Sequence, residues 1–293
     1  MCKDCGCSLP RGNGGHHSHE HGHSHGHDHG HSHAHSHDHS HDHSHDHSHE
    51  HSHSHSHSHG TVHTNPQLND SKTLSVIHKI LDKNDIEAQH NREHFESHGV
   101  MAFNIMSSPG SGKTSLLEHL GAYTDKKYCV IEGDLETSRD ADRLKAKGIE
   151  AIQIQTGSAC HLDAFMVHGA LHQQALDNMD ICFVENVGNL VCPASYDVGT
   201  HKNIVLVSIP EGDDKIEKYP VMFHRADLVL LTKCDLLPYF DFDVAEARAQ
   251  VSKLNPKAEV LEVSTKDPAS LTRVAQWLDK QLSAFAERTS EAC

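Results

Sequence analysis

An α/β fold, a mainly parallel sheet with helices on both faces, is predicted by three features of the 293-residue sequence. Short apolar runs without a polar face recur from residue 100 onward, as strands buried on both sides require. Segments of helical spacing separate them, the alternation that parallel sheets need. The first run, Val100 to Met106, leads into Ser107-Ser108-Pro109-Gly110-Ser111-Gly112-Lys113-Thr114 and then the helical run Ser115 to Leu120. Strand, glycine-rich turn, Gly-Lys-Thr and helix is the P-loop arrangement in its required context.

Taken in order, Thr73 to Phe95 has helical spacing through Leu74, Ile77, Leu81 and Ile86, and Gly99 ends it. His78, His90 and His94 read as surface positions of that helix rather than ligands. Tyr128 to Glu132 is a second buried strand, followed by Gly133-Asp134. Ser138 to Lys147 is helical, Ala151 to Gln155 a third strand, and His161 to Leu176 helical again. Ile181 to Glu185 is a fourth strand. Ile204 to Ile209, Leu228 to Leu231 and Val260 to Val263 are further strands. Asp243 to Leu254 and Leu271 to Ala286 are helices. Three regions follow: a cysteine motif at 1–10, a histidine-rich tract at 11–64, and a nucleotide-binding domain with an N-terminal helix at 65–293.

Composition separates the two ends of the chain. Every odd position from His17 to His59 is histidine, alternating with small or polar residues. Such a segment cannot bury enough surface to offset its chain entropy, so disorder without metal is expected. In an extended stretch the period of two sets the imidazoles on one side, giving many exchanging chelates for Ni, Zn, Cu or Co. Storage of a transition metal is the expected role, and imidazole alone does not choose the metal. The chain carries a formal charge of −16 with histidine neutral and has no basic stripe, which argues against a nucleic acid partner. No apolar run is long enough to span a bilayer, and Met1 to Cys7 lacks the apolar core of a signal peptide. A cytoplasmic protein is expected, its nine cysteines thiols or metal ligands rather than structural disulfides.

The P-loop sets the first chemistry. Pro109, Gly110, Ser111, Gly112, Lys113, Thr114 and Ser115 would bind the phosphates of a nucleoside triphosphate. Gly110 and Gly112 let backbone N–H groups converge there, Lys113 reaches the β- and γ-phosphates, and the Thr114 hydroxyl binds Mg²⁺. Ligands of such sheets lie beyond the carboxyl ends of the strands. Asp134 and Glu185 end the second and fourth strands there, where a carboxylate can hold the Mg²⁺ hydration shell or orient the attacking water. Asp134 is favoured for the metal–water role.

Thr232-Lys233-Cys234-Asp235 resembles the Asn-Lys-x-Asp guanine signature, with Thr for Asn. Guanine presents N1–H and N2–H₂ as adjacent donors that one carboxylate can accept, and adenine has no such pair. Asp235 is therefore the base-reading residue, Lys233 would pack its stem along the purine, and Ser264 and Thr265 lie on a further base-contacting loop. GTP is the expected nucleotide. Hydrolysis is expected to be slow, because nothing in the sequence identifies a charge-stabilising arginine, and Arg139 is only a candidate.

Two thiol clusters set the second chemistry. Cys2, Cys5 and Cys7 sit within six residues and can wrap one soft or borderline cation, tetragonal for Ni(II) or Cu, tetrahedral for Zn. Cys160 and His161 follow the third strand, and Cys192 follows the fourth. Both loops leave the P-loop edge of the sheet, so these three could form an S/N/S metal site beside the γ-phosphate region. A loop that moves on hydrolysis would then also carry metal ligands.

The order of these motifs resembles the hydrogenase nickel-incorporation GTPases, the HypB family of the SIMIBI class. The matching pieces are Cys2-x-x-Cys5-Gly6-Cys7, Ser107 to Thr114, Glu132-Gly133-Asp134, Thr156-Gly157 with Cys160-His161-Leu162, Glu185 to Pro193, and Thr232-Lys233-x-Asp235-Leu236-Leu237-Pro238. The resemblance implies GTP hydrolysis coupled to nickel delivery during nickel–iron hydrogenase maturation. It implies a nickel site at Cys2, Cys5 and Cys7, and a nickel or zinc site at Cys160, His161 and Cys192. Nucleotide- or metal-dependent homodimerisation, an accessory nickel metallochaperone and a hydrogenase large-subunit precursor as acceptor are implied too. Two other readings remain open at this level. One is the related urease GTPase, against which the N-terminal cysteines and the Cys192-Pro193 loop argue. The other is a metal buffer whose nucleotide domain only controls assembly.

Overall fold

A computed structural model describes residues 71–134 and 138–291 of the chain. The described residues build a seven-stranded sheet in the order β3-β2-β4-β1-β5-β6-β7, every neighbouring pair parallel. The strands are β1 (Met101–Ser107), β2 (Tyr128–Asp134), β3 (Glu150–Gln155), β4 (Ile181–Glu185), β5 (Lys202–Ser208), β6 (Leu228–Thr232) and β7 (Glu259–Val263). The helices are α1 (Ser71–Ser97), α2 (Lys113–Leu120), α3 (Arg139–Ala146), α4 (Ala164–Leu171), α5 (Lys215–Lys218), α6 (Pro220–His224), α7 (Val244–Leu254) and α8 (Pro268–Glu291).

All seven residues of β1 are buried, because helices cover both faces of the sheet. Its side chains alternate between them. Met101, Phe103 and Ile105 join the core under α2, α3 and α8, with Leu117, Leu144 and Trp277. Ala102 packs with Phe95 and Val167 beneath α1 and α4, and Met106 with Phe223 and Val251 beneath α6 and α7. This pleat fixes the register, since a one-residue slip would exchange the two faces.

The expected strands all form, with ends shifted by a residue or two, where pairing rather than side-chain pattern decides the boundary. Asp243, expected as the first residue of α7, instead caps it, accepting from the N–H groups of Ala245 and Glu246. The helix expected over His161 to Leu176 is shorter, Ala164–Leu171, because Asp163 caps its start and accepts from the Met166 N–H. The last helix is longer than its apolar spacing suggests, running from Pro268 to Glu291.

Helix α1 departs more. Its apolar positions Leu74, Ile77 and Ile86 are exposed. Phe95 and Ala88 at its C-terminal half are buried, and the other contacts that hold it are polar. Asn84 donates to Asp197 O at 2.8 Å and accepts from the Ala164 N–H at 2.9 Å. Asn91, fully buried, donates to the carbonyls of Ala164 and Val198. The Asn84 amide thereby satisfies the Ala164 N–H, a donor at the start of α4 that no helix bond reaches. No described helix is long and apolar enough to cross a membrane.

Candidate functional site

The chain leaves β1 into the P-loop at the carboxyl edge of the sheet, where strand order reverses direction around β1. Gly110 and Gly112 hold φ of 76° and 97°, conformations that side chains disfavour. Gly112 is the N-cap of α2 and offers no side-chain cap, so the first N–H groups of that helix face the loop. Lys113 is buried, its amine donating to Ser107 Oγ at 3.1 Å, and Thr114 donates to Glu185 Oε1 at 2.8 Å. The predicted triphosphate residues are thus assembled, and Glu185 lies against the hydroxyl expected to hold Mg²⁺.

Glu185 has a partner that sequence reasoning missed as a site residue. Glu132 stands opposite it in the β2–β4 register, and both are nearly inaccessible. Burial, with Glu185 and Asp134 nearby, pushes the Glu132 carboxyl up to about 8. Burial likewise raises Glu185 to about 7, against the pull of Lys113 and Thr114. Glu132 Oε2 and Glu185 Oε2 are buried without a hydrogen-bond partner. Two orphaned carboxylate oxygens beside a P-loop hydroxyl fit a hard divalent cation, which would restore the ionised forms. Asp134 ends β2 beside them and is half-buried. The signal for Glu132 was present in Glu132-Gly133-Asp134, but a buried acid inside an apolar run is only recognisable once its neighbour strand is known.

Three further contacts brace the loop. Thr232, standing where the guanine signature has Asn, donates its hydroxyl to Ser111 O at 2.7 Å. Lys233, left-handed at φ 59°, donates its amine to Gly110 O at 2.7 Å, so it spans the loop from base side to phosphate side. Glu211 after β5, unanticipated from sequence, accepts from Ser111 Oγ at 2.6 Å and also from the hydroxyls of Ser108 and Ser208.

The base-side residues also converge. Asp235 accepts from Ser264 Oγ at 2.8 Å and from the Lys266 amine at 2.7 Å, and these two partners hold its carboxyl below the ordinary range. Its oxygens must exchange the exposed Lys266 for a base if they are to read guanine. Thr265 lies exposed on the same loop. Arg139 opens α3 and is exposed.

The second cluster forms as well. Cys160 Sγ, a ring nitrogen of His161 and Cys192 Sγ all lie within 4.8 Å of one another. The two sulfurs are 3.0 Å apart, longer than a disulfide, and both cysteines are free thiols. Cys160 beside it, then burial, raises the Cys192 thiol. Burial lowers His161, against the opposing charge of Asp163, which favours the neutral imidazole that a metal needs. The His161 ring stacks on Tyr196 at 4.0 Å, fixing its plane.

One buried amide holds the two thiol-bearing loops together. Asn186 Oδ1 accepts from the N–H groups of Leu162 and Val187, each at 3.0 Å, while its Nδ2 donates to Asn104 on β1. Asn189 donates to Cys160 O at 3.2 Å. Between them, Gly188 lies against Pro109. A Cβ at Gly188 would sit 2.8 Å from Pro109 Cα, so only glycine permits the approach. The segment from Glu185 to Cys192 thus touches the Thr114 hydroxyl, the P-loop backbone and the thiols in turn. Cys2, Cys5, Cys7 and the histidines from His17 to His59 lie outside the described residues.

With this geometry in place, the comparisons are specific. Residues 101–262 match the nucleotide-binding domain of CobW/HypB/UreG proteins. The hydrogenase/urease maturation factor HypB of Helicobacter pylori J99 is 50% identical over 214 residues, covering 72% of this chain and 88% of the relative. The hydrogenase maturation factor HypB of Escherichia coli K12 is 44% identical, covering 75% of this chain and 76% of the relative. A crystal structure of HypB from Helicobacter pylori in complex with nickel superposes with a TM-score of 0.67 at 48% identity, over 69% of this chain and 96% of that one. The HypB structure from Archaeoglobus fulgidus gives 0.65 at 36% identity, over 69% and 100%.

Proposed function

The chain belongs to the HypB branch of the CobW/HypB/UreG P-loop proteins, and from that premise we propose that it is a GTP-hydrolysing nickel metallochaperone serving nickel–iron hydrogenase maturation. The observation that carries the coupling is the segment from Glu185 to Cys192, which ties Thr114 to the thiol pair through Gly188 against Pro109.

Lys113 and the α2 N-terminus neutralise charge developing on the transferred phosphoryl group. Thr114, with Glu132, Asp134 and Glu185, would hold Mg²⁺, which would supply charge neutralisation to the bound phosphates. Asp235, with Lys233, Ser264 and Thr265, selects guanine. Intrinsic turnover is slow, since the sequence identifies no arginine finger and Arg139 is only a candidate. Nickel is the cargo. Cys160, His161 and Cys192 take Ni²⁺, or Zn²⁺ in a resting form. Loss of the γ-phosphate shifts the loop and changes affinity there by a coupling free energy. Cys2, Cys5 and Cys7 form a separate nickel site, and the histidine tract stores nickel. The protein dimerises on GTP or metal binding and works in the cytoplasm with an accessory metallochaperone that passes nickel to the hydrogenase large-subunit precursor.

The test compares Ni²⁺ affinity with a non-hydrolysable GTP analogue and with GDP. The thiolate-to-nickel charge-transfer band that differs between the wild type and Cys192→Ser isolates this site from the N-terminal thiols. Equal affinity in both nucleotide states overturns the coupling. The dual name of the Helicobacter relative favours a second acceptor, urease. Activities of the two nickel enzymes after gene deletion decide between them.

A further inference from the structure

Helices α1 and α4 pack against each other on the face of the sheet opposite α2, and each brings two histidines to their junction. His94 and His98 are four apart on α1 and the residue turn after it. His168 and His172 are four apart on α4 and its C-cap. On a helix that spacing puts both rings on one face. His94, His98 and His168 are half-buried and His172 is exposed, so the group is walled on one side and open on the other.

The rings approach closely. His168 Nε2 and His172 Nε2 are 3.0 Å apart, and their ring centroids 4.6 Å. His94 lies 4.7 Å from His98 and 6.3 Å from His172, centroid to centroid. Two nitrogens bound at about 2.0–2.1 Å to one ion, at angles of about 90–110°, are about 2.9–3.4 Å apart. The His168–His172 pair already has that separation.

Supporting groups set the tautomers. His168 Nδ1 lies 3.0 Å from Glu87 Oε1 and 3.0 Å from Asn91 Oδ1, both acceptors, so Nδ1 carries the proton and Nε2 the lone pair. His98 Nδ1 lies 2.9 Å from the His94 carbonyl, which likewise leaves its Nε2 free to ligate. A carboxylate behind a ligating histidine is the support that metal sites use to orient the ring and raise its basicity. Burial, then the neighbouring His98, His172 and His168, lowers His94 toward the neutral, ligating form. In the metal-free protein His172 donates through Nε2 to His168; a bound cation takes the place of that proton, which passes by way of solvent to His172 Nδ1.

We propose that His94, His98, His168 and His172, supported by Glu87 and Asn91, form an additional site for a divalent imidazole-seeking cation of the zinc and nickel class. It is separate from the thiol site. His168 and His172 supply the preformed half, and rotation of the His94 and His98 side chains completes the shell.

The test is histidine-resolved carbethoxylation of the full chain, read by peptide mass spectrometry against buffered Zn²⁺ and, separately, Ni²⁺. The expected result is that either metal protects all four histidines with one midpoint. His168→Ala should abolish protection at His94 and His98 across the helix junction. Glu87→Gln, which contacts no metal, should move the midpoint to about tenfold higher metal. GTP binding checks that each variant is folded. Absence of protection, separate midpoints for the two helices, or protection of His94 unchanged in His168→Ala overturns the site. Should His168→Ala fail to fold, Glu87→Gln decides alone, and an unmoved midpoint overturns it.

Discussion

Gly188 and Pro109 lie so close that a single added methyl group at residue 188 would fall 2.8 Å from the Pro109 Cα. The contact joins the segment that ends in Cys192, one of the three candidate metal ligands, to the backbone of the P-loop. Under the proposed function, nucleotide state and metal affinity share this one mechanical element, and by linkage each biases the other to the same extent.

Gly188→Ala should separate the two loops at a cost of about 1–3 kcal/mol, the range for overpacking a close contact. Nickel affinity with GDP should persist while its difference from the GTP-analogue state shrinks. Paired metal titrations in the two nucleotide states measure this directly.

Asn186→Ala should weaken nickel binding without touching a ligand. Its carbonyl oxygen holds the N–H groups of Leu162 and Val187, and both would be left buried and unpaired. The expected loss of stability is about 1–3 kcal/mol, visible in denaturant midpoints, together with looser metal binding at Cys160, His161 and Cys192.

Lys113→Ala should abolish turnover. Removing a donor aimed at transition-state charge costs roughly 10²–10³ in rate, and phosphate release from GTP reads it. If hydrogenase maturation survives that variant, hydrolysis is not what the protein contributes.

Asp235→Asn should exchange an acceptor for a donor at the base. GTP binding should weaken by about 1.5–3 kcal/mol, the scale of a hydrogen bond to a charged group. Xanthosine triphosphate, which offers a carbonyl at C2, should gain. Competition between the two nucleotides is the measurement.

The paired glutamates predict an unusual pH dependence. Folding raises Glu132 to about 8 and Glu185 to about 7 from an ordinary 4.5, so the native state binds more protons than the unfolded chain across that interval. Stability of the metal-free protein should therefore fall as pH rises from about 4.5 to about 8. Mg²⁺ with nucleotide should flatten the slope, and Glu132→Gln should remove part of it. Thermal melts across pH, with and without Mg²⁺, test all three.

The sheet, the P-loop and the two candidate ligand sets were legible in the order of residues alone. Strand burial on both faces writes itself as apolar runs, and phosphate binding needs Gly-Lys-Thr at one turn. The same order also placed Cys160, His161 and Cys192 on loops of the same edge. The contacts that cross between elements came from packing, which no local pattern encodes. Glu132 became a site residue through its pairing with Glu185, Glu211 through its reach to the P-loop serines, and Gly188 through its contact with Pro109. His94, read from helical spacing as a surface position, gained its neighbours when α4 brought His168 and His172 beside α1. Periodicity reports which face of an element turns inward, and it carries no information about which other segment arrives at that face.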